Sequence, residues 1–431
     1  MKSVGLISLG CAKNRVDAER ILGSFAAVGY QVVQDPAHAE VVVVNTCGFI
    51  REAVEESIEE ILDAARLKKE GSCRVLVVAG CLPQRYRELA RELPEVDFFF
   101  TPGELENIPA ALAGEPPADS AVRTTRVLTQ LPHSTYLKIA DGCSNRCSYC
   151  TIPLIRGPFR SVPADELVAE ARQLVARGAV ELNLVAQDVT GYGRDGDETA
   201  ALDSLLGRLE AIDGLHWIRL LYAYPRPLPP GVAARLAGAG KVVPYLDVPI
   251  QHAHPRILAA MHRRVSADAA EGMLLGLQDR YPDLVLRTTA IVGFPGETEA
   301  EFQALVNLVQ RVRFHHLGAF AYSPEEGTAA EALPGRVPDK VVRERLNHLM
   351  EVQAEISHLR NQAFVGRELE VLVDGLDEAG NVVGRTYGQA PEVDGHTLLD
   401  NCPEAVAVGA FLRCRVREAW EYDLLAEVLP T

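Results

Sequence analysis

Short apolar runs alternate with amphipathic segments over the first 125 residues of the chain. Three runs are rich in valine and bounded by turn residues, as buried parallel strands are, and they span residues 4–10, 41–46 and 74–80. Segments 16–28 and 53–67 carry apolar residues at helical spacing. This alternation predicts an α/β domain with a parallel sheet over residues 1–125, followed by a linker that begins at 114–120.

The same alternation restarts near residue 130 and continues to residue 362. Six strand-like runs are separated by helical segments, and they span residues 136–141, 181–187, 216–223, 244–250, 285–293 and 315–322. The pattern predicts a partial (β/α)6 barrel of the TIM type, whose functional site lies at the C-terminal ends of the strands. A charged helix over residues 339–364 is expected to lead out of it.

The pattern changes in the last region, residues 363–431. Short strand-like runs are separated by turn residues, and they span residues 368–373, 382–387, 411–417 and 424–429. Such a series is typical of a small all-β barrel. The expected fold is therefore α/β in its first two domains and all-β in its third.

The composition narrows the class of protein. Apolar residues make up 48% of the chain and charged residues 24%, which is ordinary for a globular protein. No run approaches the roughly 20 consecutive apolar residues of a membrane span, and the run before Cys11 is too short for a signal peptide. In reducing surroundings, nine cysteines favour metal ligation or catalysis over disulfides. We therefore predict a cytoplasmic protein that does not act at a membrane.

Three cysteines lie within eight residues just after the first predicted barrel strand, in the spacing C-x3-C-x2-C. Thiolates suit iron–sulfur clusters, and Cys143, Cys147 and Cys150 can bind three irons of a cubane and leave the fourth iron open. An open coordination position distinguishes a reactive metal centre from a structural one. The alternatives are three buried free cysteines, or a structural zinc site, which normally needs four protein ligands.

The cysteine spacing resembles that of the radical S-adenosylmethionine superfamily. The resemblance implies that the open iron binds S-adenosylmethionine and that reductive cleavage yields a 5′-deoxyadenosyl radical. Gly293 and Gly296 resemble the glycine motif beside the adenosyl group, although they would also suit a tight turn. Gln187 and Asp188 follow the second barrel strand, where they are candidates either for cofactor binding or for helix capping.

A second set of cysteines, Cys11, Cys47 and Cys81, is dispersed over the first domain. Each follows a predicted parallel strand, so all three could converge at one edge of the sheet. Burial in the core is the alternative, because cysteine is often buried. The surrounding runs, 8–17, 45–50 and 79–81, resemble the N-terminal domain of methylthiotransferases. That resemblance implies a second four-iron cluster, and so two [4Fe-4S] clusters in all, of which this one is implicated in sulfur delivery.

Methylthiotransferases divide mainly into tRNA-adenosine enzymes and the RimO group, which modifies an aspartate of a ribosomal protein. The chain resembles the RimO group over essentially its whole length, with supporting runs at 222–225, 244–253, 384–387, 390–395 and 421–424. It departs from the pattern at Val162, where an arginine is expected. The resemblance implies methylthiolation at the β-carbon of an aspartate in the twelfth small-subunit protein, with an external reductant and sulfur source.

Charge supports a protein substrate. The formal net charge is −16, and residues 363–431 contain 13 Asp plus Glu against five Arg and no Lys, a net of −8. The family's final domain is a TRAM-type barrel, and one this acidic would repel phosphates but attract a basic ribosomal protein. The acidity could instead serve solubility alone. Nucleic acid is not expected as the direct substrate; the alternatives are a tRNA methylthiotransferase and a non-catalytic electron carrier.

Overall fold

The computed structural model describes residues 2–116, 126–196, 201–238, 240–403 and 405–430, so most of the predicted linker region lies outside the described residues. The helices, α1 to α13, are Ala12–Ala27, Arg51–Glu70, Cys81–Arg85, Leu89–Glu92, Ile108–Ala113, Ile152–Ile155, Ala164–Ala176, Ala201–Glu210, Pro230–Arg235, Pro255–Ala260, Ala267–Arg280, Glu299–Val312 and Asp339–Gln362. Within these ranges, we find no helix with the length and apolarity needed to cross a lipid bilayer.

The strands form three main sheets and one short ribbon. Strands β1 to β9 are Ser3–Ser8, Gln31–Val32, Val41–Thr46, Val75–Gly80, Phe98–Phe100, Ser134–Lys138, Ala140–Asp141, Arg160–Ser161 and Glu181–Val185. Strands β10 to β18 are Trp217–Leu220, Val242–Asp247, Val285–Val292, His316–Ala321, Glu368–Leu376, Val382–Arg385, Thr397–Asp400, Phe411–Ala419 and Leu424–Val428.

The first domain is a parallel sheet in the order β2-β1-β3-β4-β5. Every residue of β3 is buried, because helices cover both faces of a parallel sheet, and this explains its valine-rich sequence. The predicted strands match β1, β3 and β4, whereas β2 and β5 were missed. These two are only two and three residues long, too short for a periodic signal.

The central domain is an open parallel sheet in the order β13-β12-β11-β10-β9-β6, which confirms the predicted partial barrel. All six predicted strands are present with shifted ends, and the predicted exit helix is α13. One expectation was wrong in detail: β6 ends at Lys138, and the separate strand β7 precedes the cysteine loop. Strand β7 pairs with β8 instead of continuing along the barrel.

The last domain is a closed barrel in the order β14-β15-β16-β18-β17, which confirms the predicted all-β domain. Strand β16, Thr397–Asp400, was missed because it is four residues long and begins and ends in polar residues. The small barrel closes the N-terminal end of the central one. There Arg385 forms an ion pair with Glu181 at 2.9 Å, and Arg219 binds the same carboxylate at 3.0 Å.

Helix α1 is buried between its own sheet and the central barrel. Its Glu19 pairs with Arg126, which also binds Glu170 of α7 at 2.8 Å. Arg15 on the same helix pairs with Glu392 of the small barrel. All three domains therefore meet around α1, and the first domain covers the C-terminal ends of the barrel strands.

Candidate functional site

The loop of Cys143, Cys147 and Cys150 is closed at its base by the pairing of β7 with β8. Gly142 begins the loop with a φ of 73°, and a Cβ there would lie 2.2 Å from the carbonyl oxygen of Pro158. The amide of Cys143 donates to the carbonyl of Gly157 at 3.1 Å. Only glycine can occupy position 142 this close to the backbone of Pro158, so the turn determines where Cys143 lies.

Side chains from neighbouring barrel loops hold the rest of the cysteine loop. Asn145 donates to Asp188 at 3.0 Å, and Ser148 donates its hydroxyl to the carbonyl of Ala260 at 2.7 Å. The guanidinium of Arg263 lies 4.0 Å from the Cys147 sulfur and donates to the carbonyl of Pro249. The loop is thus anchored before any ligand binds.

The three thiols of this loop lie close enough to influence one another. The pKa of Cys150 is raised to about 12, mainly by burial and in part by the neighbouring Cys147 and Cys143. Burial is also the main cause of the raised pKa of Cys143. Thiols of this kind keep their protons until a metal displaces them, so metal binding here releases protons.

The structure brings together the loops of the second set. A Cβ on Gly10 would lie 3.0 Å from the Cβ of Cys47, and one on Gly48 would lie 3.1 Å from the backbone of Cys81. Gly80 has a φ of 96°, and its Cβ would approach Asn45 to 2.5 Å. The three strand ends therefore meet at one edge of the sheet, as the strand pattern predicts.

Two asparagines tie these loops together. Asn14 donates to the carbonyl of Leu9 at 2.6 Å and to that of Thr46 at 3.2 Å, while Asn45 donates to the carbonyl of Asn14 at 2.8 Å. Ser57 donates to the carbonyl of Cys47 at 2.9 Å and accepts from its amide at 3.1 Å. These bonds use backbone groups around Cys11 and Cys47 and do not involve either sulfur.

The thiols of the second set differ in their electrostatics. Burial raises the pKa of Cys47 to about 11, and the neighbouring Cys81 and Cys11 add to the rise. Burial would also raise the pKa of Cys11, but the Lys13 ammonium and the Asn14 amide lower it below the ordinary value. Cys11 is exposed at the surface of the protein.

Arg156 connects the two cysteine sets. One nitrogen of its guanidinium lies 3.3 Å from the Cys81 sulfur and 3.1 Å from Asn14. Another nitrogen binds Asp17 at 2.6 Å and Asp141, beside the loop of Cys143, at 3.1 Å. Its side chain is only 3% exposed, so this arginine fixes the distance between the two loops in the protein interior.

Lys13 lies at the same junction. It precedes Asn14 on the first turn of α1, and its ammonium sits 3.4 Å from the centre of the Tyr222 ring, beyond the end of β10. Burial would lower the pKa of Lys13, but Tyr222, Cys11 and Asp247 together raise it. The Lys13 ammonium therefore lies between Cys11 and the barrel.

The predicted cofactor residues have the following neighbours. Gly293 has a φ of 76°, and its Cβ would lie 2.5 Å from Val342 of α13; Gly296 has a φ of 75° and donates to the carbonyl of Gly335. Asp188 is engaged with the cysteine loop through Asn145 and with Arg226 at 2.5 Å. Gln187 donates to Asp141, but its buried carbonyl oxygen has no partner among the described residues.

These contacts give Gly293, Gly296 and Asp188 structural roles that do not require a cofactor. Tight packing against α13 explains Gly293, and anchoring of the cysteine loop explains Asp188. The Gln187 oxygen lies close to that loop and is available to a ligand. Cofactor binding by these four residues stays a prediction.

The donor sets fit iron–sulfur clusters in their chemistry. Among the described residues, no three or more His, Cys, Asp or Glu side chains are placed to bind a single metal ion. A four-iron cluster does not require that arrangement, because each cysteine binds a different iron. Two sets of three soft thiolates, each with an arginine beside one sulfur, suit two anionic clusters. That the six cysteines bind iron stays a prediction.

Cys73, Cys402 and Cys414 do not belong to these sets. Cys73 is buried before β4, and Cys414 is fully buried in the core of the small barrel with Cys402 beside it. Sequence reasoning missed the roles of Arg156 and Lys13 altogether. The only signal in the sequence was a positive residue close to a cysteine, for Lys13, or to apolar residues, for Arg156. Whether such a charge is buried depends on contacts between domains, which the order of residues in the chain does not reveal.

Three family models match the chain. They are the "Uncharacterized protein family UPF0004" over residues 3–101, the radical SAM superfamily over residues 137–309 and the TRAM domain over residues 365–429. Their order agrees with the three sheets of the structure.

Relatives with curated names are similar over nearly the full length. The ribosomal protein uS12 methylthiotransferase RimO of Anaeromyxobacter sp. (strain K) is 48% identical, over 98% of this chain and 92% of its own. That of Geobacter sulfurreducens is 44% identical, over 99% of both.

A solved structure has a similar fold at low identity. The radical S-adenosylmethionine methyltransferase TsrM of Kitasatospora setae, with tryptophan and a SAM analogue bound, is 16% identical and has a TM-score of 0.58. The match covers 83% of this chain and 89% of TsrM. With this fold and the full-length similarity to named relatives, the chain belongs to the RimO family of ribosomal protein uS12 methylthiotransferases, within the radical S-adenosylmethionine superfamily.

Proposed function

We propose that this enzyme adds a methylthio group to the β-carbon of an aspartate in ribosomal protein uS12, using two four-iron clusters. Cys143, Cys147 and Cys150 would hold the cluster that binds S-adenosylmethionine, and a second would be held by Cys11, Cys47 and Cys81. The observation that carries the proposal is the approach of the two cysteine sets, joined by the buried Arg156. An external reductant and sulfur source would act with it in the cytoplasm.

The bound groups would supply the carbon-centred radical, the sulfur and the methyl group. The chain itself supplies position and enclosure. Asp141 and Asp17 hold Arg156 between the two loops, and Lys138 binds both carboxylates from the barrel side. The first domain covers the C-terminal ends of the strands, so water would be kept away from reactive species.

The domain boundaries proposed for this arrangement are 1–125, 130–362 and 363–431. Each range encloses one of the main sheets, and the family models fall inside them. The junction of the first two ranges would then form the site, while the third would recognise the substrate protein.

The charge of the last domain supports a basic protein as the substrate. Several of its acids already pair within the molecule, such as Asp394 with Arg287 and Asp374 with Arg385. Exposed acids such as Glu418 and Glu421 have no ion pair within the described residues, so the outer surface keeps its negative charge. Such a surface attracts a basic ribosomal protein and repels RNA phosphates.

The test uses anaerobically reconstituted enzyme with S-adenosylmethionine and a reductant. Purified uS12 and unmodified tRNA are supplied in separate reactions, and mass spectrometry measures methylthio adducts while chromatography measures 5′-deoxyadenosine. The control is the variant in which Cys143, Cys147 and Cys150 are all Ala.

The proposal requires an adduct that fragmentation places on the β-carbon of a uS12 aspartate and that is lost in the variant. An adduct on tRNA alone would keep the radical mechanism and reject the substrate. Absence of 5′-deoxyadenosine in both reactions would instead support a non-catalytic iron–sulfur protein.

A further inference from the structure

Lys13 is a buried cation beside the Cys11 thiol, and it has no carboxylate partner within the described residues. The residue is 9% exposed, and its ammonium rests on the ring of Tyr222 at 3.4 Å. No carboxylate of the described chain lies within ion-pairing distance of this nitrogen. Burying a lysine without a hydrogen-bonding anion is costly, and such charges are normally paired.

The nearby acid, Asp247, is already engaged. It accepts from the amide of Tyr222 at 3.1 Å and from Arg287 at 3.3 Å. Arg287 in turn also binds Asp394, which closes this network without the lysine. Asp247 therefore contributes a favourable field at Lys13 but no direct contact.

The backbone beneath the lysine is strained. Tyr222 has a φ of 66°, a conformation that bulky residues rarely adopt, and it is held there by Asp247 and by a bond from the amide of Val189 to its carbonyl. Such strain concentrates at functional sites where a side chain must be presented in one orientation. Here it presents an aromatic face to the Lys13 ammonium, which limits where the cation can move.

We propose that Lys13 binds the side-chain carboxylate of the substrate aspartate and so positions its β-carbon between the two cysteine sets. This inference rests on the proposed function. In aspartate the carboxylate is attached directly to the β-carbon, so an ion pair with Lys13 fixes the reacting atom to within one bond. The lysine lies two residues from Cys11, at the ends of the barrel strands, where substrate must reach both sites.

The ion pair also explains selectivity. A carboxylate forms charge-assisted hydrogen bonds with the buried ammonium, whereas an asparagine or a neutral nucleobase leaves the cation unpaired. Specificity of this type is strong, because the wrong substrate leaves a buried charge without a partner.

The test is a double-mutant cycle on binding, which needs no turnover. Fluorescently labelled uS12, and uS12 in which the modified aspartate is replaced by Asn, are titrated with reconstituted enzyme and S-adenosylmethionine without reductant. The enzymes are the wild type, Lys13→Met, Lys13→Arg and, as a surface control, Lys340→Met, which removes an exposed lysine of α13.

We expect Lys13→Met and the Asn substitution each to weaken binding by about tenfold, and the two together by little more than either alone. Lys13→Arg should retain most of the affinity, and Lys340→Met should show no coupling to the aspartate. Iron content should equal that of the wild type in every variant.

Additive losses in the cycle would overturn the proposal, as would loss of iron in Lys13→Met, which would make the lysine a support of the cluster. In both cases wild-type activity on uS12 would leave the proposed function intact. If the wild type does not modify the uS12 aspartate, the proposed function fails and this inference fails with it.

Discussion

At the scale of single residues, glycines decide how closely the loops of the second cysteine set approach one another. Gly80 combines a φ of 96° with a Cβ position only 2.5 Å from Asn45 and 2.9 Å from the carbonyl of Thr46. A side chain would therefore meet both an unfavourable conformation and a steric conflict. The conflict falls on Asn45, one of the two asparagines that tie the loops together.

We predict that Gly80→Ala lowers the free energy of unfolding by about 2 kcal/mol and reduces the iron bound by the first domain. Gly272→Ala is the matched control, because Gly272 lies within α11 with no atom within 4 Å of its Cβ position. That change should leave stability equal or raise it by up to about 1 kcal/mol. Denaturant unfolding and iron analysis measure both effects, and equal stability of the two variants would contradict the steric argument.

Arg156 carries the second prediction at this scale. Its replacement by Met leaves Lys138 as the only cation paired with Asp17 and Asp141 among the described residues, so we expect a loss of about 3 kcal/mol. Arg208→Met removes an exposed pair with Asp165 and should cost about 0.5 kcal/mol. Thermal unfolding at neutral pH compares the variants; a loss from Arg156→Met no larger than that from Arg208→Met would show that Arg156 does not stabilise the junction.

At the scale of elements, strand β9 links the two barrels through its first residue, Glu181. Burial opposes ionisation of this carboxylate, but Arg385 and Arg219 outweigh it and lower its pKa to about 2. The ordinary value is 4.5, so the folded state binds this proton more weakly than the unfolded state. The ion pairs therefore contribute their full stabilisation at pH values above 4.5, and this contribution falls as the pH drops toward 2.

The prediction concerns Glu181→Gln, which keeps the shape and removes the charge. The variant should melt well below the wild type at pH 7, and the gap should narrow steadily between pH 5 and pH 2. Melting temperatures at a series of pH values measure this gap. A constant gap over the range would mean that the ionised carboxylate does not hold the two barrels together.

Most of the strands, and the meeting of their ends in the first domain, could be predicted from the sequence. Strands such as β3 are buried on both faces and therefore have valine-rich runs, and the rule that ligands gather at strand ends predicted that Cys11, Cys47 and Cys81 converge. The missed strands are short or begin and end in polar residues, such as β5 and β16. Lys13 and Arg156 could not be predicted, because their burial arises only where two domains meet.

At the scale of the whole molecule, the first domain rests on the central barrel and the small barrel closes the opposite end. Arg85 of the first domain forms a buried ion pair with Glu325 at 2.7 Å, and Thr151 donates to the carbonyl of Phe49 at 2.9 Å. These contacts hold the loop of Cys47 beside the loop that ends in Cys150. This packing brings together the two sets of three cysteines that we propose as cluster sites.

The iron content of the anaerobically reconstituted protein shows whether each set of cysteines binds a cluster. It is measured for the wild type and for two variants, one with Cys11, Cys47 and Cys81 changed to Ser and one with Cys143, Cys147 and Cys150 changed to Ser. We expect each variant to keep about half of the wild-type iron, because each set is proposed to bind one four-iron cluster. Wild-type iron content in either variant would contradict this expectation, because that set of cysteines would then hold no cluster.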